Sequence, residues 1–366
     1  MVGFDMDHTF VRYKLDNMYD LMHGALCHFL QDMYPKELFV GLNRDQTFEM
    51  KGQIFDTVKG HFIAVDSTGN VCSLRHGSGD RIRDTIKIHS EYPEGKWEHF
   101  NLARTFSKDI DKYVAFLSAF GIPAAFIIAT VIDWIDENEN SVENRKKAYR
   151  KLVHHVYDGF NHHYDPDSLV LDQGHFFPNI KRNPEKFLHK VPDTLLEFVK
   201  ILQRQNKKVF LMTNSRADFT EVVCDYALGP GWRSLFDIVV CHAQKPSFFF
   251  EEKPFFQTDG ILSGGNSTAF LERNEFVSRE KSLILYFGDD VNGDVFAPSH
   301  FSNWHTVAIL EELERPSILN LGFVEHFFNE DKKSFLFSVI NQYSRYCVSS
   351  VEMIAKFVIA EANSLE

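Results

Sequence analysis

The chain is poor in cysteine, and its cysteines form no recognisable pattern. Five cysteines are spread over 366 residues without a CxxC pair, which argues against a disulfide framework, a thiolate zinc site and a redox pair. The first residues carry Asp5, Asp7 and Arg12 instead of the apolar core of a secretory signal. We therefore expect free thiols and a cytoplasmic location. The cysteines are Cys27, Cys72, Cys224, Cys241 and Cys347.

Long apolar runs are also scarce, and the one that needs attention is interrupted. Residues 114–132 are apolar apart from the hydroxyl residues Ser118 and Thr130, and the run is long enough for a membrane span. Gly121-Ile122-Pro123 breaks the run, and proline is best accommodated in the first turn of a helix. The sequence therefore predicts two buried helices, one ending near Phe120 and one beginning near Pro123, and no membrane partner.

Positive charge is in deficit. Lys and Arg number 39 against 51 Asp and Glu, which gives a formal charge of −12 and a pI of about 5.8. A general nucleic-acid surface needs clustered cations, so we expect no nucleic-acid partner. An anionic substrate would have to meet positive charge that is concentrated locally. The apolar fraction of 44% is that of an ordinary folded protein, and 36 phenylalanines are the one unusual excess.

The length and the order of elements predict an α/β protein with two parts. At about 150 residues per domain, the chain corresponds to roughly two domains. Short apolar strands alternate with helical stretches such as residues 17–33 and 192–205, and this alternation predicts a doubly wound parallel sheet with helices on both faces. Ligands of such sheets bind at the carboxyl ends of the strands. The predicted strands are residues 1–5, 209–212, 236–241, 282–287 and 305–309.

Three further segments have distinct patterns. Residues 60–66 and 70–74 are strand-like and are separated by turn-forming residues, which predicts a hairpin. Residues 97–165 have a helical pattern, with Ser141 as a predicted N-cap. The tail, residues 324–362, is apolar-periodic and is predicted to be helical.

The first predicted strand ends at two acids, Asp5 and Asp7, which are separated by one residue. Such a pair can point into one crevice. One carboxylate can attack phosphorus and form an acyl phosphate, and the second can exchange protons with the leaving group and with water. A turn with two solvated acids is the alternative explanation of this motif.

The next two strand ends offer groups that can hold a phosphoryl oxygen. Thr213, Asn214 and Ser215 follow a buried strand, where hydroxyl groups and free backbone N–H groups are available. A simple helix N-cap is the alternative for these residues. Lys245 follows the next strand and could neutralise the charge of a transferring phosphoryl group, although a single lysine is more often a solvated surface group.

The fourth strand end is acidic. Asp289, Asp290 and Asp294 follow a buried strand, and Gly288 and Gly293 allow close backbone approach. Carboxylates together with phosphate oxygens and water suit Mg²⁺. A bound Mg²⁺ would allow an anionic nucleophile to meet an anionic phosphate. A tight acidic turn is the alternative explanation.

The four motifs, in this order and at these strand ends, resemble those of the haloacid dehalogenase-like (HAD) superfamily. Longer stretches resemble the cytosolic purine 5′-nucleotidase family within it, and the segment from Phe301 to Leu313 narrows the resemblance to one subgroup. The matching stretches are Gly3–Asp7, Val58–Gly60 with Val65–Asp66, Val209–Ser215, Ala243–Pro246 with Phe248–Phe249, and Gly288–Asp289 with Gly293–Asp294.

The resemblance implies a role for each motif residue. Asp5 would be the nucleophile and Asp7 the general acid and base, with Lys245 as the neutralising cation. The second motif, residues 213–215, would hold the phosphate. The implied Mg²⁺ ligands are Asp5, Asp7 through its carbonyl, Asp289 and, as support, Asp294, while Asp290 stays open as an alternative.

The resemblance also implies a HAD-like core with an inserted cap. The core would comprise residues 1–68 and 169–366, with a helical tail from about residue 324. The cap, residues 69–168, would be mainly helical.

Two cap positions match residues that bind the substrate in the family. Phe120 falls where the purine nucleotidases place an aromatic ring that stacks on the base, and Arg150 matches a substrate-binding arginine. The family's amide, acid and histidine nearby are replaced here by Gly121, His154 and Tyr157. The resemblance therefore implies retained phosphate chemistry with altered recognition of base and ribose.

We expect a Mg²⁺-dependent phosphatase that acts on a nucleoside monophosphate or a related small phosphate ester. Two alternatives remain: a HAD phosphatase for a sugar phosphate or a phosphoprotein, and a catalytically weak binding or scaffold protein with the same fold. The expected partner is a small phosphorylated substrate, and the sequence leaves a homo-oligomer open.

The helical region also contains two histidine pairs, His154–His155 and His162–His163, that resemble a metal cluster. Neighbouring positions such as 154 and 155 point in different directions on a helix, and no acid is spaced to complete a zinc site. We therefore expect a polar surface here. The basic residues between positions 145 and 151 are expected to form a solvated helix face, with Arg150 as the exception, and a face that attracts phosphate is the alternative.

Overall fold

The computed structural model describes residues 1–93, 112–258, 260–273, 283–314 and 334–364. The chain forms two compact units. The first unit comprises Met1–Leu15, Pro178–Glu314 and Ile340–Glu366, and the second comprises Asp16–Phe177 and Arg315–Val339.

The first unit is built on an eight-stranded sheet. Its strands are β1 (Val2–Phe4), β6 (Val209–Met212), β7 (Ile238–Cys241), β8 (Phe255–Thr258), β9 (Ile261–Gly264), β10 (Leu285–Gly288), β11 (His305–Ile309) and β12 (Tyr346–Val348). They lie in the order β12-β11-β10-β1-β6-β7-β9-β8. All neighbouring pairs are parallel except β8–β9, which is an antiparallel hairpin at one edge. The α/β class with a parallel sheet, predicted from the sequence, is confirmed.

The central strands are short and fully apolar. Every residue of β1 and β6 is buried, as expected for strands of a parallel sheet covered on both faces. Gly3 is required at the centre of β1, because a Cβ atom there would lie 2.0 Å from Cζ of Phe210. Some of the many phenylalanines pack against one another in this core. Phe4, for example, stacks on Phe287 of β10 at 5.1 Å between ring centroids.

The second unit contains a four-stranded antiparallel sheet. Its strands are β2 (Gln53–Asp56), β3 (His61–Val65), β4 (Val71–His76) and β5 (Tyr113–Phe116), and they lie in the order β4-β3-β2-β5. The predicted hairpin is present as β3–β4, with the turn residue Gly69 at φ 88°. Ser141 is an N-cap as predicted, because its side chain accepts a hydrogen bond from the backbone N–H of Asn144.

The described α-helices range from 4 to 22 residues in length. The described helices are Leu15–Leu30, Thr85–Glu91, Ala124–Asn138, Val142–His163, Asp167–Leu171, Phe176–Arg182, Pro184–Phe187, Asp193–Arg204, Ala217–Leu228, Ser267–Arg273, Ala297–Ser302, Phe335–Tyr343 and Val351–Ser364. None of the helices in the described ranges has the length and apolar character that crossing a membrane requires.

Of the two helices predicted in the apolar run, residues 114–132, the first prediction is wrong and the second is confirmed. The segment before Phe120 forms strand β5, whereas the second helix begins at Ala124 directly after Pro123, as predicted. The residues of β5 pair with β2 from Gln53↔Phe116 to Asp56↔Tyr113. Tyr, Val and Phe fit this pleated, half-buried surface, so pairing with a distant strand overrides the helical pattern. The part of the predicted helical region at residues 94–111 lies outside the described residues.

The tail and the unit boundaries also differ in detail from the expectation. A strand, β12, separates the helices Phe335–Tyr343 and Val351–Ser364, and residues 324–333 of the predicted tail lie outside the described residues. Residues 16–68, expected in the core, belong to the second unit. The pairing of β2 and β3 with β5 and β4 accounts for this assignment.

Candidate active site

Four polar motifs meet at the carboxyl ends of four adjacent strands. Asp5 follows β1, Thr213 follows β6, Lys245 lies shortly after β7, and Asp289 follows β10. These strands are consecutive in the sheet, in the order β10-β1-β6-β7, and run parallel. Their carboxyl ends therefore lie along one edge of the sheet, which is where parallel sheets bind ligands.

The backbone after β1 folds into a tight loop that holds both acids in the interior. The Asp5 N–H donates to the Phe287 carbonyl at 2.8 Å, and the Asp5 carbonyl accepts from the Phe10 N–H at 3.2 Å. Asp5 is 6% exposed and Asp7 is 8% exposed. The backbone hydrogen bonds thus place two carboxylates in a region where water access is limited.

Lys245 connects two of the strand-end acids. Its Nζ donates to Oδ1 of Asp5 at 2.7 Å and to Oδ1 of Asp294 at 2.6 Å. The lysine side chain is 3% exposed, so the ion pairs are shielded from solvent. The alternative of a solvated surface lysine does not apply, since this ammonium lies among the acids.

Tyr286 of β10 completes the coordination of the lysine. The Tyr286 hydroxyl is 2.9 Å from Lys245 Nζ, and it can donate to the Met212 carbonyl at 3.1 Å or to Asp294 Oδ1 at 3.2 Å. Both the tyrosine and the lysine are buried. The hydroxyl therefore satisfies polar groups that would otherwise be buried without partners.

The charged side chains of this site shift one another's pKa values. Burial raises the pKa of Asp5 well above its usual range; Lys245 opposes this shift, and the Asp294 and Asp289 carboxylates add to it. Burial alone would lower the pKa of Lys245, but the carboxylates of Asp294 and Asp5 outweigh burial and raise that pKa well above its usual value. The lysine therefore stays cationic.

Asp7 is held by hydroxyl groups. Its Oδ1 accepts from the Tyr13 hydroxyl at 2.7 Å, and its Oδ2 accepts from Ser215 Oγ at 2.8 Å and from Thr213 Oγ1 at 3.3 Å. Hydrogen bonds of this kind stabilise the carboxylate and fix its direction. The hydroxyls of Thr213 and Ser215, predicted to bind phosphate, thus contact Asp7 in this structure.

Asn214 fixes the loop that carries Lys245. Its side-chain Nδ2 donates to the Lys245 carbonyl at 2.9 Å, and its Oδ1 accepts from the Lys245 N–H at 2.6 Å. This reciprocal pair joins the ends of β6 and β7. The sequence predicts that Asn214 holds phosphate, and in the structure its side chain positions the lysine loop.

The segment after β10 is a π-helical turn, Val291–Phe296, that presents Asp294. Asp290 caps it, because its Oδ1 accepts from the N–H groups of Asn292 at 2.8 Å and Gly293 at 2.7 Å. A Cβ atom on Gly288 would lie 2.2 Å from Cβ of Asp294. The glycine therefore allows Asp294 to pack against the end of the strand.

The arrangement of acids suits a divalent cation. Carboxylate oxygens of Asp5, Asp289 and Asp294 lie within 4.8 Å of one another, and all three residues are buried. One ammonium among three carboxylates leaves negative charge that a buried site must compensate. An all-oxygen donor set is what Mg²⁺ prefers. The residues present therefore fit the predicted metal, whereas Asp290 acts as a cap.

The two predicted cap residues, Phe120 and Arg150, lie in the second unit. The Phe120 ring contacts those of Tyr164 and Phe176, at 5.6 and 6.0 Å between centroids, and its carbonyl accepts from the Tyr164 hydroxyl at 3.0 Å. Arg150 is exposed on the helix Val142–His163. Their roles in substrate binding stay predictions.

Two residues of the site, Tyr13 and Tyr286, are not predicted from the sequence. Both are buried tyrosines whose hydroxyls contact site residues. Tyr286 lies two residues before Gly288, at an apolar strand position where its polar end was a detectable signal. Nothing in the local sequence around Tyr13 indicated that the chain turns back toward Asp7.

Comparison with known proteins agrees with the geometry. Residues 1–319 match the 5′ nucleotidase family. The 5′-nucleotidase domain-containing protein 1 of Bos taurus is 30% identical over 333 residues, which cover 86% of this chain and 72% of that protein. The Homo sapiens protein of the same name is 29% identical over the same shares. This name is that of the subgroup indicated by the segment from Phe301 to Leu313.

A solved structure, a haloacid dehalogenase-like family hydrolase from Streptococcus pneumoniae, aligns over 97% of both chains with a TM-score of 0.31 and 10% identity. A similarity this remote supports no argument about the site. The match to the family model covers most of the chain, and it identifies the protein as a phosphoric monoester hydrolase. The family predicted from the motifs is confirmed: the chain belongs to the 5′ nucleotidase family.

Proposed function

We propose that the protein is a Mg²⁺-dependent phosphatase that hydrolyses a nucleoside monophosphate or a related small phosphate ester through an aspartyl-phosphate on Asp5. The observation that carries the proposal is the buried group in which Lys245 Nζ binds Asp5 at 2.7 Å and Asp294 at 2.6 Å, beside Asp289. The similarity to the 5′-nucleotidase domain-containing proteins supports the nucleotidase assignment.

In the first step, a carboxylate oxygen of Asp5 attacks the phosphorus atom. The P–O bond to the ester oxygen breaks, and the leaving alkoxide takes a proton from Asp7. Lys245 fixes the direction of the Asp5 carboxylate and adds positive charge where the phosphoryl oxygens would lie. The product of this step is an acyl phosphate on Asp5.

In the second step, water attacks the phosphorus atom of the acyl phosphate. Asp7 accepts the proton of the water, inorganic phosphate leaves, and the Asp5 carboxylate is restored. Asp7 suits this role because three hydroxyl donors, from Tyr13, Thr213 and Ser215, hold its carboxylate in one direction. Main-chain and side-chain groups of residues 213–215 are the proposed phosphate ligands.

Mg²⁺ would be held by Asp5, Asp289 and Asp294, with the main-chain carbonyl of Asp7 as the further ligand that the family resemblance implies. When bound, it would supply positive charge that lowers the repulsion between the carboxylate nucleophile and the phosphate. For location, we propose the cytoplasm, which the five free cysteines support.

The test of the chemistry is the conversion of Asp5 to asparagine. We expect Asp5→Asn to release phosphate from small esters at least about a thousandfold more slowly than the wild type, because the amide is not a nucleophile. Asp218→Asn is the matched control, since Asp218 is a partly exposed acid of the same unit that pairs with Arg216, and it should keep wild-type activity. Wild-type turnover by Asp5→Asn would contradict the proposal.

Beryllium fluoride provides a second measurement that does not depend on the substrate. With Mg²⁺ it should bind the wild type as an analogue of the aspartyl-phosphate and raise the melting temperature, while leaving that of Asp5→Asn unchanged. A scaffold protein that keeps only the fold would show neither turnover nor this shift.

The substrate class is tested with a panel of nucleoside monophosphates, sugar phosphates and phosphopeptides. We expect the highest kcat/KM for a nucleoside monophosphate. If Phe120 and Arg150 bind the base or ribose, Phe120→Ala and Arg150→Ala should lower kcat/KM for nucleotides and leave hydrolysis of a small aryl phosphate unchanged. A higher kcat/KM for a sugar phosphate or a phosphopeptide than for any nucleoside monophosphate would favour the alternative, a phosphatase for that class of substrate.

A further inference from the structure

Four histidines converge in the second unit, whereas the strand-end acids belong to the first. His28 lies in the last turn of the helix Leu15–Leu30, His162 and His163 end the helix Val142–His163, and His175 follows in a loop. The ring centroids are 4.9 Å apart for His162 and His163, 5.3 Å for His163 and His175, and 5.7 Å for His28 and His175. We call these four residues the histidine cluster.

The innermost member, His163, is in the protonation form of a metal ligand. Its Nε2 is 3.0 Å from the Ala25 carbonyl, which can only accept a hydrogen bond, so Nε2 carries the proton and Nδ1 carries a lone pair. Nδ1 is buried and has no hydrogen-bond partner within the described parts of the chain. Histidines that bind metals commonly donate their other N–H to a backbone carbonyl in this way.

The electrostatic surroundings keep His163 neutral. Burial lowers its pKa to about 4; the Ala25 carbonyl opposes this shift, and His162, His175 and His28 add to it. The ring is therefore deprotonated at neutral pH, which leaves the lone pair available. A buried lone pair without a donor is costly, and a bound cation would satisfy it.

The backbone around the cluster also favours a cation. Both helices end here, and the free carbonyl groups of a helix C-terminus carry partial negative charge. Gly159 lets the helices approach closely one turn before their ends, because a Cβ atom there would lie 2.9 Å from Cδ2 of Leu26. His28 and His162 are exposed, so an ion can reach the cluster from solvent.

We propose that the histidine cluster binds one divalent transition-metal ion of the imidazole-preferring class, with Zn²⁺ as the representative. Imidazole nitrogen atoms suit Zn²⁺ and do not suit Mg²⁺, so the site is chemically distinct from the acid group. Within the described ranges, the acid group is the only set of His, Cys, Asp or Glu residues with three potential ligand atoms within 4.8 Å of one another. The nitrogen atoms of the histidine cluster do not meet this distance in the present side-chain conformations. Binding therefore requires the histidine side chains to rotate, and the exposed rings of His28 and His162 have the freedom to do so.

Sequence spacing alone does not reveal this site. The pair His162–His163 is expected from the sequence to lie on a polar surface, because no partner is spaced to complete a metal site. The partners His28 and His175 come from other elements, and the packing at Gly159 brings one of them into place. The other pair, His154–His155, does not join: His155 is bound to the Tyr34 hydroxyl at 3.1 Å instead.

The test is a zinc titration of the full chain after removal of metals by a chelator. Excess Mg²⁺ is added to compete with Zn²⁺ for the acid group, and a chromophoric chelator competes for Zn²⁺. We expect one equivalent of tightly bound Zn²⁺ for the wild type and at least a tenfold higher Kd for the double variant His28→Ala/His162→Ala, which loses two ligands. His154→Ala removes an exposed histidine of the same helix and should bind Zn²⁺ as the wild type does.

Two further readouts separate binding from misfolding and from binding elsewhere. Zn²⁺ should raise the melting temperature of the wild type and of His154→Ala, and not that of the double variant. Co²⁺ should give the absorption of a four-coordinate nitrogen site in the same two proteins. A double variant that binds Zn²⁺ with wild-type affinity, or a wild type that binds none beyond the chelator, would overturn the proposal.

Discussion

At the scale of single residues, Lys245 illustrates how a buried cation is stabilised. Its ammonium contacts two carboxylates, the Tyr286 hydroxyl and the Met212 carbonyl, the last at 3.3 Å. Removing water from a charge is unfavourable, and close opposite charges offset this cost only when the geometry is good. The same contacts that keep the lysine charged also orient Asp5.

The first residue-scale prediction concerns stability without Mg²⁺. Replacing Lys245 by methionine leaves Asp5 and Asp294 buried without their cation, so we expect the free energy of unfolding to fall by about 3 kcal/mol. Urea denaturation in the presence of a chelator measures this change. Lys208→Met is the matched control, because Lys208 pairs with Asp237 at the same 2.7 Å but is 61% exposed; it should lose less than about 1 kcal/mol. Equal losses in the two variants would contradict the argument.

The positions of the charged site residues could be read from the sequence, whereas their hydrogen-bond partners could not. Asp5, Lys245 and Asp289 were predicted to meet because parallel strands end at one edge of a sheet, and this depends only on strand order. The partner of each side chain depends on rotamers and on loop paths. Tyr13 reaches Asp7 only through the tight loop after β1, which no local pattern encodes.

At the scale of elements, the turn after β10 depends on a glycine. A Cβ atom on Gly288 would lie within 2.6 Å of three side-chain atoms of Asp294, so Gly288→Ala must displace this acid. We expect a loss of about 1–3 kcal/mol in unfolding free energy from overpacking. Because small displacements of positioned groups are costly in catalysis, phosphatase activity should fall by roughly 10²-fold.

A control for this substitution lies within a helix. A Cβ atom on Gly24, in the helix Leu15–Leu30, would meet nothing within 4 Å. Gly24→Ala should therefore stabilise the protein by roughly 0.5–1 kcal/mol and leave activity unchanged. Retention of full activity by Gly288→Ala would show that Asp294 does not need its present position.

Element type was predictable where the apolar pattern was local and unambiguous. Strands β6 and β11 occur at the predicted bounds, and the predicted hairpin is present. The apolar segment that became β5 could not be assigned from periodicity, because a short apolar run fits a buried helix as well as a buried strand. Its pairing with β2, which lies far earlier in the chain, decides between them.

At the scale of the whole molecule, stability should depend on pH through histidines that partial burial keeps neutral. His61 of β3 shows this most clearly. Its Nδ1 is 3.1 Å from the Tyr92 hydroxyl, which donates to Asp56 Oδ2 at 3.1 Å, so the hydroxyl oxygen accepts from the ring. Burial lowers the pKa of His61 to about 4; His76 and Lys59 add to this shift, and Glu91 opposes it.

The sign of the effect follows from proton binding. In the unfolded chain His61 titrates at its ordinary pKa of 6.5, so between pH 6.5 and about 4 the unfolded state binds a proton that the folded state does not. The contribution of the neutral ring is complete above pH 6.5 and is lost as the pH falls toward 4. Between pH 7 and pH 5 this amounts to about 2 kcal/mol.

The corresponding prediction compares variants, because the acidic chain of net charge −12 also changes its self-repulsion as the pH approaches 5.8. His61→Asn keeps a donor near the Nδ1 position and cannot titrate. From pH 7 to pH 5 it should lose about 2 kcal/mol less unfolding free energy than the wild type, as measured by urea denaturation with a chelator present. His154→Asn, which removes an exposed histidine of the same unit, should follow the wild type. Parallel curves for His61→Asn and the wild type would mean that burial at β3 does not hold this ring neutral, and the pH dependence would then have to come from other groups, such as His163 or the acids.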